Sequence, residues 1–582
     1  MKLLTTAGIF KAMEALTEDF KELSKDEQLQ RWVHIQKYNI TTKELMIAAE
    51  NKLKPKYAQV PFWSPQLKLN GQALSYYNER VREDAEYMDL GVNVRRPTSL
   101  PPDASITTTE ELIAKQFECK NAWRGSLADG ERLRKAYLIE KAEKAMHERN
   151  TTLASALKQI INSETSRALH QRQGAGMKGA HPGSLKSILV PCPDFSAASD
   201  DPKKYCEAWS TLTEDKIINN LFRTLNLKKL TMALGSDFAP GGVLYNLVGE
   251  NGCSNIADTM LDGTFDRSSL RIHNRSDIET LMAFVKHMER PPKADGSPLP
   301  DREWTYGAEE YCKSFSKKSE DTSCGPSGLH MSHWIAACED PQLSALHASF
   351  IDAAFRIGQP YPRWETSYHA MIQKKSKPWA NAMRIIQLLE GDYNAGLRYL
   401  IQRLGVGYAE SNDVYSGCTY GGRKGKNTHQ VLARAKFTNE YCRLARTPAA
   451  IADVDAKNCF DCMTQAGIGY FQRRQGSPKD LALAQCTTLA QTKHYIKTGR
   501  GVSKECIQRT EQVAPQGSGQ GGGASVGNWQ SHNDPMILTF QDLCHPCTLT
   551  DPDRIDKFLQ WMVSFVDDNK LFMNFDPAVA VQ

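Results

Sequence analysis

Nowhere among the 582 residues is there an unbroken run of 18 or more apolar side chains. A membrane-spanning helix needs about 20 of them, so no membrane span is expected. The opening Met1-Lys2-Leu3-Leu4 is soon interrupted by Lys11, Glu14 and Glu18, which leaves no apolar centre for a signal peptide. The 15 cysteines are scattered without the rhythm of a disulfide scaffold, and a reducing intracellular setting, cytoplasm and/or nucleus, fits them best. Internal repeats and heptad arrays are also missing. Charge of one sign is scarce too: the formal excess is +5, which permits a nucleic-acid partner without demanding one. The length gives room for two to four domains and a substantial core.

The chain divides into three stretches. Residues 1–183 read as mainly helical: Ile9, Met13, Leu16 and Phe20 recur at helical spacing, as do Leu112, Phe117, Leu133, Tyr137, Leu138, Ala142 and Met146. Pro61-Phe62-Trp63-Ser64-Pro65 breaks the first series, and the Gly- and Gln-rich run from Gln171 to Gly183 reads as a linker. Residues 184–320 are a mixed connector with turn clusters at Pro240-Gly241-Gly242 and Pro291-Pro292. Residues 321–582 carry the chemistry.

In Met562-Val563-Ser564-Phe565-Val566-Asp567-Asp568-Asn569-Lys570-Leu571-Phe572, two adjacent aspartates interrupt an apolar run. A strand, a tight turn and a second strand would place both carboxylates at a hairpin tip. Like charges side by side are costly unless a cation neutralises them, and oxygen ligands suit Mg²⁺. Upstream, Ala449 to Asp455 is a small apolar run ending in acid. A strand delivering Asp455 to the same sheet would make three carboxylates, enough to hold two metal ions in phosphoryl transfer. Between these segments lies Gly517-Ser518-Gly519-Gln520-Gly521-Gly522-Gly523, a backbone that a substrate can approach closely.

Asp-x4-Phe-Asp (Asp455, Phe460, Asp461), Gln-Gly-x3-Ser (Gln520, Gly521, Ser525) and Phe-x-Asp-Asp (Phe565, Asp567, Asp568) follow one another in that order. They resemble motifs A, B and C of reverse transcriptases, and of these the LINE-type (non-LTR) retrotransposon enzymes most closely. Tyr420-Gly421-Gly422-Arg423-Lys424-Gly425-Lys426 is similar to a further segment of that family. So is the stretch from Met371 through Lys374 and Lys377 to Arg384 and Leu389, its fingers segment.

The resemblance implies an α+β fold: right-hand polymerase fingers and palm over 321–582, with an antiparallel palm sheet and helices, after a mainly helical N-terminal region. It implies RNA-directed DNA polymerase activity, with an RNA template, a DNA primer and deoxynucleotides as partners. Two Mg²⁺ ions, or Mn²⁺, would be held by Asp455, Asp567 and Asp568. Asp453 competes with Asp455, because alternate strand residues share a face. The family's aromatic stands five residues after the ligand, and Phe460 meets that spacing for Asp455 alone. That ring resembles the steric gate against a ribose 2′-hydroxyl. Lys374, Lys377 and Arg384 would meet the triphosphate, Arg423 the template side, and Gln520 and Gly521 the incoming nucleotide. A viral-type RNA-dependent RNA polymerase shares the layout, but usually has glycine before the paired acids, and Phe565 and Phe460 argue against it.

Two departures stand out. Where the family continues Ser-Pro, this chain has Ser525-Val526, so a looser helix start is expected. Only fourteen residues follow Asp568, so the family's motif D, primer grip and thumb are expected to be absent, and the resemblance implies other retroelement-encoded segments as partners. Asp461 is expected to be an acid at a helix N-terminus. His330 and His333 are expected to cap and pack, and the Cys459/Cys462 and Cys544/Cys547 pairs to be free thiols.

Overall fold

The computed structural model describes residues 2–53, 64–86, 109–161, 188–191, 209–372, 380, 383–498, 501–550 and 557–574, less scattered single positions. Lys374, Lys377, the 171–183 run and the last eight residues lie outside the described residues. The fold is α+β. Among the described residues no helix is long and apolar enough to cross a membrane. Chain contacts divide the molecule into two units, Met1–Ala48 with Ala180–Gln582, and Ala49–Gly179.

In the second unit the helices Pro65–Glu86, Thr109–Ala128 and Gly130–His147 follow the apolar periodicity only in part. Leu112, Leu138 and Ala142 are buried, whereas Phe117 and Met146 face outward. The step from Leu112 to Phe117 is five residues, which turns Phe117 off the inward stripe.

The first unit is built on an aromatic core. Ile9, Met13, Phe20, Trp32 and Ile35 meet Trp334, Phe350, Phe355, Trp364 and Tyr393 there. Arg363 is buried in this core with Glu390 and Asp392 as its partners, as a buried charge requires. His330 precedes the helix Met331–Ala337, and His333 Nδ1 accepts its backbone N–H at 2.9 Å, so this pair caps a helix.

Two sheets position the residues of interest. The first has four strands in the order Arg384–Leu388, Thr366–Ile372, Lys493–Thr498, Gly501–Ile507, and only the central pair is parallel. The helix Asp215–Leu230 lies against it through Ile218 and Phe222, packed on Met371, Ile385 and Ile496. The second is antiparallel, in the order Met562–Phe565, Asp568–Asn574, Ala449–Asp455. Among the described residues, the last strand is therefore the middle one. Ala449–Asp455 is a solvent-exposed edge. The helices Gln465–Arg474 and Ser525–Leu543 back this region, fastened by the buried pair Arg474–Asp534 at 3.0 Å.

Candidate functional site

Residues 562–574 form the hairpin that the apolar–acid–apolar pattern predicts. Phe565 pairs with Asp568, and Val566-Asp567 make the turn between them. Val566 sits at φ 58°, a left-handed conformation that is costly for a β-branched residue. Such strain persists only where the surroundings over-determine it, and here they do. Trp529 Nε1 donates to the Val566 carbonyl at 2.5 Å, and Asn533 Nδ2 donates to Ser564 Oγ at 2.9 Å. Ser564 exchanges backbone bonds with Cys418 and Tyr420, both at 2.9 Å. The backbone of Gly421 lies so close that a Cβ there would overlap the Val566 backbone.

Across the hairpin, Asp568 is in register with Asp455, and the Ala456 N–H donates to the Asp567 carbonyl at 3.1 Å. Directly opposed residues of antiparallel strands share a face, so Asp455 and Asp568 stand on the same side. Asp453 is on that side too, opposite Lys570, and the two form an ion pair. Lys570 therefore takes up the competing acid and leaves Asp455 beside the hairpin pair. Burial raises the Asp568 carboxyl above the usual carboxylate range, and the neighbouring carboxylates of Asp567, Asp455 and Asp453 add to the rise.

A donor set of carboxylate oxygens whose mutual repulsion is already felt by Asp568 suits a hard divalent cation. The residues that could hold one are Asp455, Asp567 and Asp568. Among the described residues no three His, Cys, Asp or Glu side chains already stand as a coordination shell.

Phe460 is half-buried in a cluster with Cys459, Met463, Trp529 and Val566, which puts its ring beside the hairpin turn. Asp461 is not in the first turn of a helix. The following helix starts at Gln465, with Thr464 as its cap, and Asp461 lies buried before it. Burial pushes its carboxyl up to about 6, against an opposing pull from Lys229. Cys459 is buried, and its thiol is raised to about 12 by burial and by the Asp567 charge. Cys442 and Cys547 lie with their sulfurs 3.7 Å apart, and Cys442, Cys459, Cys544 and Cys547 are free thiols.

The glycine loop docks on the Phe460 turn and on the four-stranded sheet. Gly517 donates to the Met463 carbonyl at 2.7 Å, and Ser518 to the Phe460 carbonyl at 2.8 Å. Gln387 donates its backbone N–H to the Gln520 carbonyl at 2.7 Å, and its side-chain amide reaches Ser367 Oγ at 3.3 Å and His494 Nδ1 at 3.1 Å. Gln520 is half-buried and Gly521 exposed. The helix begins at Ser525, whose Oγ donates to the Gly519 carbonyl at 2.6 Å.

Arg384 is exposed at the start of the strand that carries Gln387. Gln387 is the link between that strand and the loop. Arg423 turns inward. Its guanidinium grips Glu410 and the carbonyls of Ser416 at 3.1 Å and Thr419 at 2.9 Å. Lys424 and Lys426, next to it, are exposed. Sequence reasoning missed Lys570, Gln387 and Glu410. Of these only Lys570 had a usable signal, being a lone cation just after the acids.

No family model matches the chain, and no curated protein matches it closely enough to count as a relative.

Proposed function

We propose that the chain is an RNA-directed DNA polymerase of a LINE-type retrotransposon, with fingers and palm over 321–582. It would act as a nucleotidyltransferase, extending a DNA primer on an RNA template. The observation that carries this reading is the register that sets Asp455 opposite Asp568, with the Asp567 carbonyl bonded to the Ala456 N–H. Three acids from segments more than a hundred residues apart meet at one hairpin tip, and the glycine loop is tied to the turn between them.

In the reaction the primer 3′-hydroxyl attacks the α-phosphorus of a deoxynucleoside triphosphate. A new P–O bond forms, the bond to the β-phosphate breaks, pyrophosphate leaves and the hydroxyl proton passes to solvent. Asp455, Asp567 and Asp568 would hold two Mg²⁺ ions, which when bound supply Lewis-acid activation of the hydroxyl and neutralise the leaving charge. Phe460 occupies the space a ribose 2′-hydroxyl needs. Gln520 and Gly521 face the nucleotide, and Arg384 offers a fork of donors to phosphate.

The test is primer extension on an RNA template with Mg²⁺. The natural sequence should extend with deoxynucleotides in preference to ribonucleotides. Asp455→Asn and Asp567→Asn should each reduce extension at least a hundredfold while template binding persists. Binding without extension by the natural sequence would instead identify a catalytically inactive retroelement remnant that only binds nucleic acid.

A further inference from the structure

The helix Ser525–Leu543 has an unusual beginning. A helix exposes unpaired N–H groups in its first turn, normally met by a Ser, Thr, Asp or Asn cap. Here the capping position is Ala524, which has no side chain able to do so. One side chain from a distant part of the chain, Gln402, meets the first turn in its place, and a second, Asn394, holds the residue before the capping position. Asn394 Oδ1 accepts the Gly523 N–H at 2.5 Å, and Gln402 Oε1 accepts the Gly527 N–H at 2.6 Å. The Asn394 amide also lies 3.4 Å from the Gly521 carbonyl. Close approach is obligatory at this point, because a Cβ on Gly523 would stand 2.5 Å from the Asn394 carbonyl and 2.9 Å from the Arg398 nitrogen.

The winding of the supporting helix matters. Asn394 lies in Gly391–Gly396, and Gln402 in the π-helical stretch Leu397–Gly405 that continues it. In an α-helix, residues eight apart are about 80° out of phase. The wider π turn narrows that gap, so both side chains reach the same partner. π-helical turns are uncommon and cluster at functional sites.

We propose that Asn394 and Gln402 are positioning residues that fasten the start of the Ser525–Leu543 helix from outside, Gln402 at its first turn and Asn394 at the glycine loop before it, and thereby hold Gln520 and Gly521 against the incoming nucleotide. This rests on the polymerase reading above. Gln402 acts as an acceptor, so its conservative replacement is the acid and its disabling one is the apolar isostere, whereas Asn394 both accepts and donates. Gln402→Met should raise the KM for deoxynucleotide about tenfold, with kcat changed much less. Gln402→Glu should restore KM to within about threefold. Asn394→Leu should behave like Gln402→Met.

Hydrogen exchange is measured on the same proteins. Gln402→Met and Asn394→Leu should lose about tenfold protection over residues 519–527, and none in the Gln465–Arg474 helix. Unchanged exchange there overturns the proposal whether or not the natural sequence extends a primer. Altered exchange with an unaltered KM also overturns it, leaving a merely structural cap. A natural sequence inert in extension overturns the polymerase reading and the nucleotide role together, while the exchange result still reports on the cap.

Discussion

At the scale of single residues, Asp461 is an acid whose charge the fold resists. Its carboxyl is held at about 6, above the ordinary value of about 3.9, so the folded chain binds this proton more tightly than the unfolded one. The stability this confers is fully present below about pH 4 and is lost as the pH rises through about 6. Asp461→Asn cannot ionise. It should therefore be more stable than the natural sequence at about pH 7.5, by roughly 2–3 kcal/mol. The difference should close by about pH 4, which thermal unfolding at the two pH values would reveal. A gap independent of pH would mean that the carboxylate is stabilised in place. Asp568 is raised in the same direction by burial and its acidic neighbours, but it stands exposed at the hairpin, where solvent screens the effect. The two acids of the Phe460–Asp461 and Asp567-Asp568 motifs thus differ in kind, one buried and one facing the shared surface.

At the scale of elements, Arg474–Asp534 is the fastener between the two helices behind the hairpin. Arg474 Nε also donates to the His287 carbonyl at 2.7 Å, and Asp534 Oδ1 accepts the Ser416 N–H at 2.7 Å. Removing one partner leaves an uncompensated buried charge. Asp534→Ala should cost about 3–5 kcal/mol in urea unfolding, and the double change Arg474→Met with Asp534→Leu markedly less. Equal losses in the two proteins would show that packing, and not charge, dominates here. The hairpin and the strand ending at Asp455 were legible in the sequence, because carboxylates interrupting short apolar runs have few structural explanations. The supports were not legible. Gln387, Asn394 and Gln402 are uncharged polar residues in ordinary amphipathic surroundings, and their partners in the glycine loop and the helix after it lie more than a hundred residues away. Arg423 read as one member of a basic run. Glu410, thirteen residues earlier, draws it inward, and no helical or strand period marks that spacing. The exposure of Phe117 was equally hard to read, since its five-residue step from Leu112 misses the helical repeat, and nothing in the structure explains that of Met146.

At the scale of the whole molecule, the excess of five positive charges matters less than where cations remain free. Lys424 and Lys426 are exposed beside the hairpin's supporting segment, and Arg423 is committed to Glu410. If the chain grips a primer–template, Lys424→Ala and Lys426→Ala should each lower the slope of log K against log salt by about one. Arg423→Ala should leave that slope unchanged and lower the unfolding temperature, as a salt titration with a melting curve would show. The placement of the last strand in the middle of its sheet has a consequence during synthesis. The Ala449–Asp455 strand leaves the ribosome with nothing to pair to until Asp568, 113 residues later (455 to 568), has been added. At about 5–20 residues per second that delay is roughly 6–23 s. Through it an open strand must avoid pairing with other nascent chains, and its own composition guards it: three alanines offer little apolar surface, and two aspartates repel a second copy of the same strand. One of these two acids, Asp455, belongs to the proposed site, so the same side chain first helps keep the newborn chain from sticking to its neighbours.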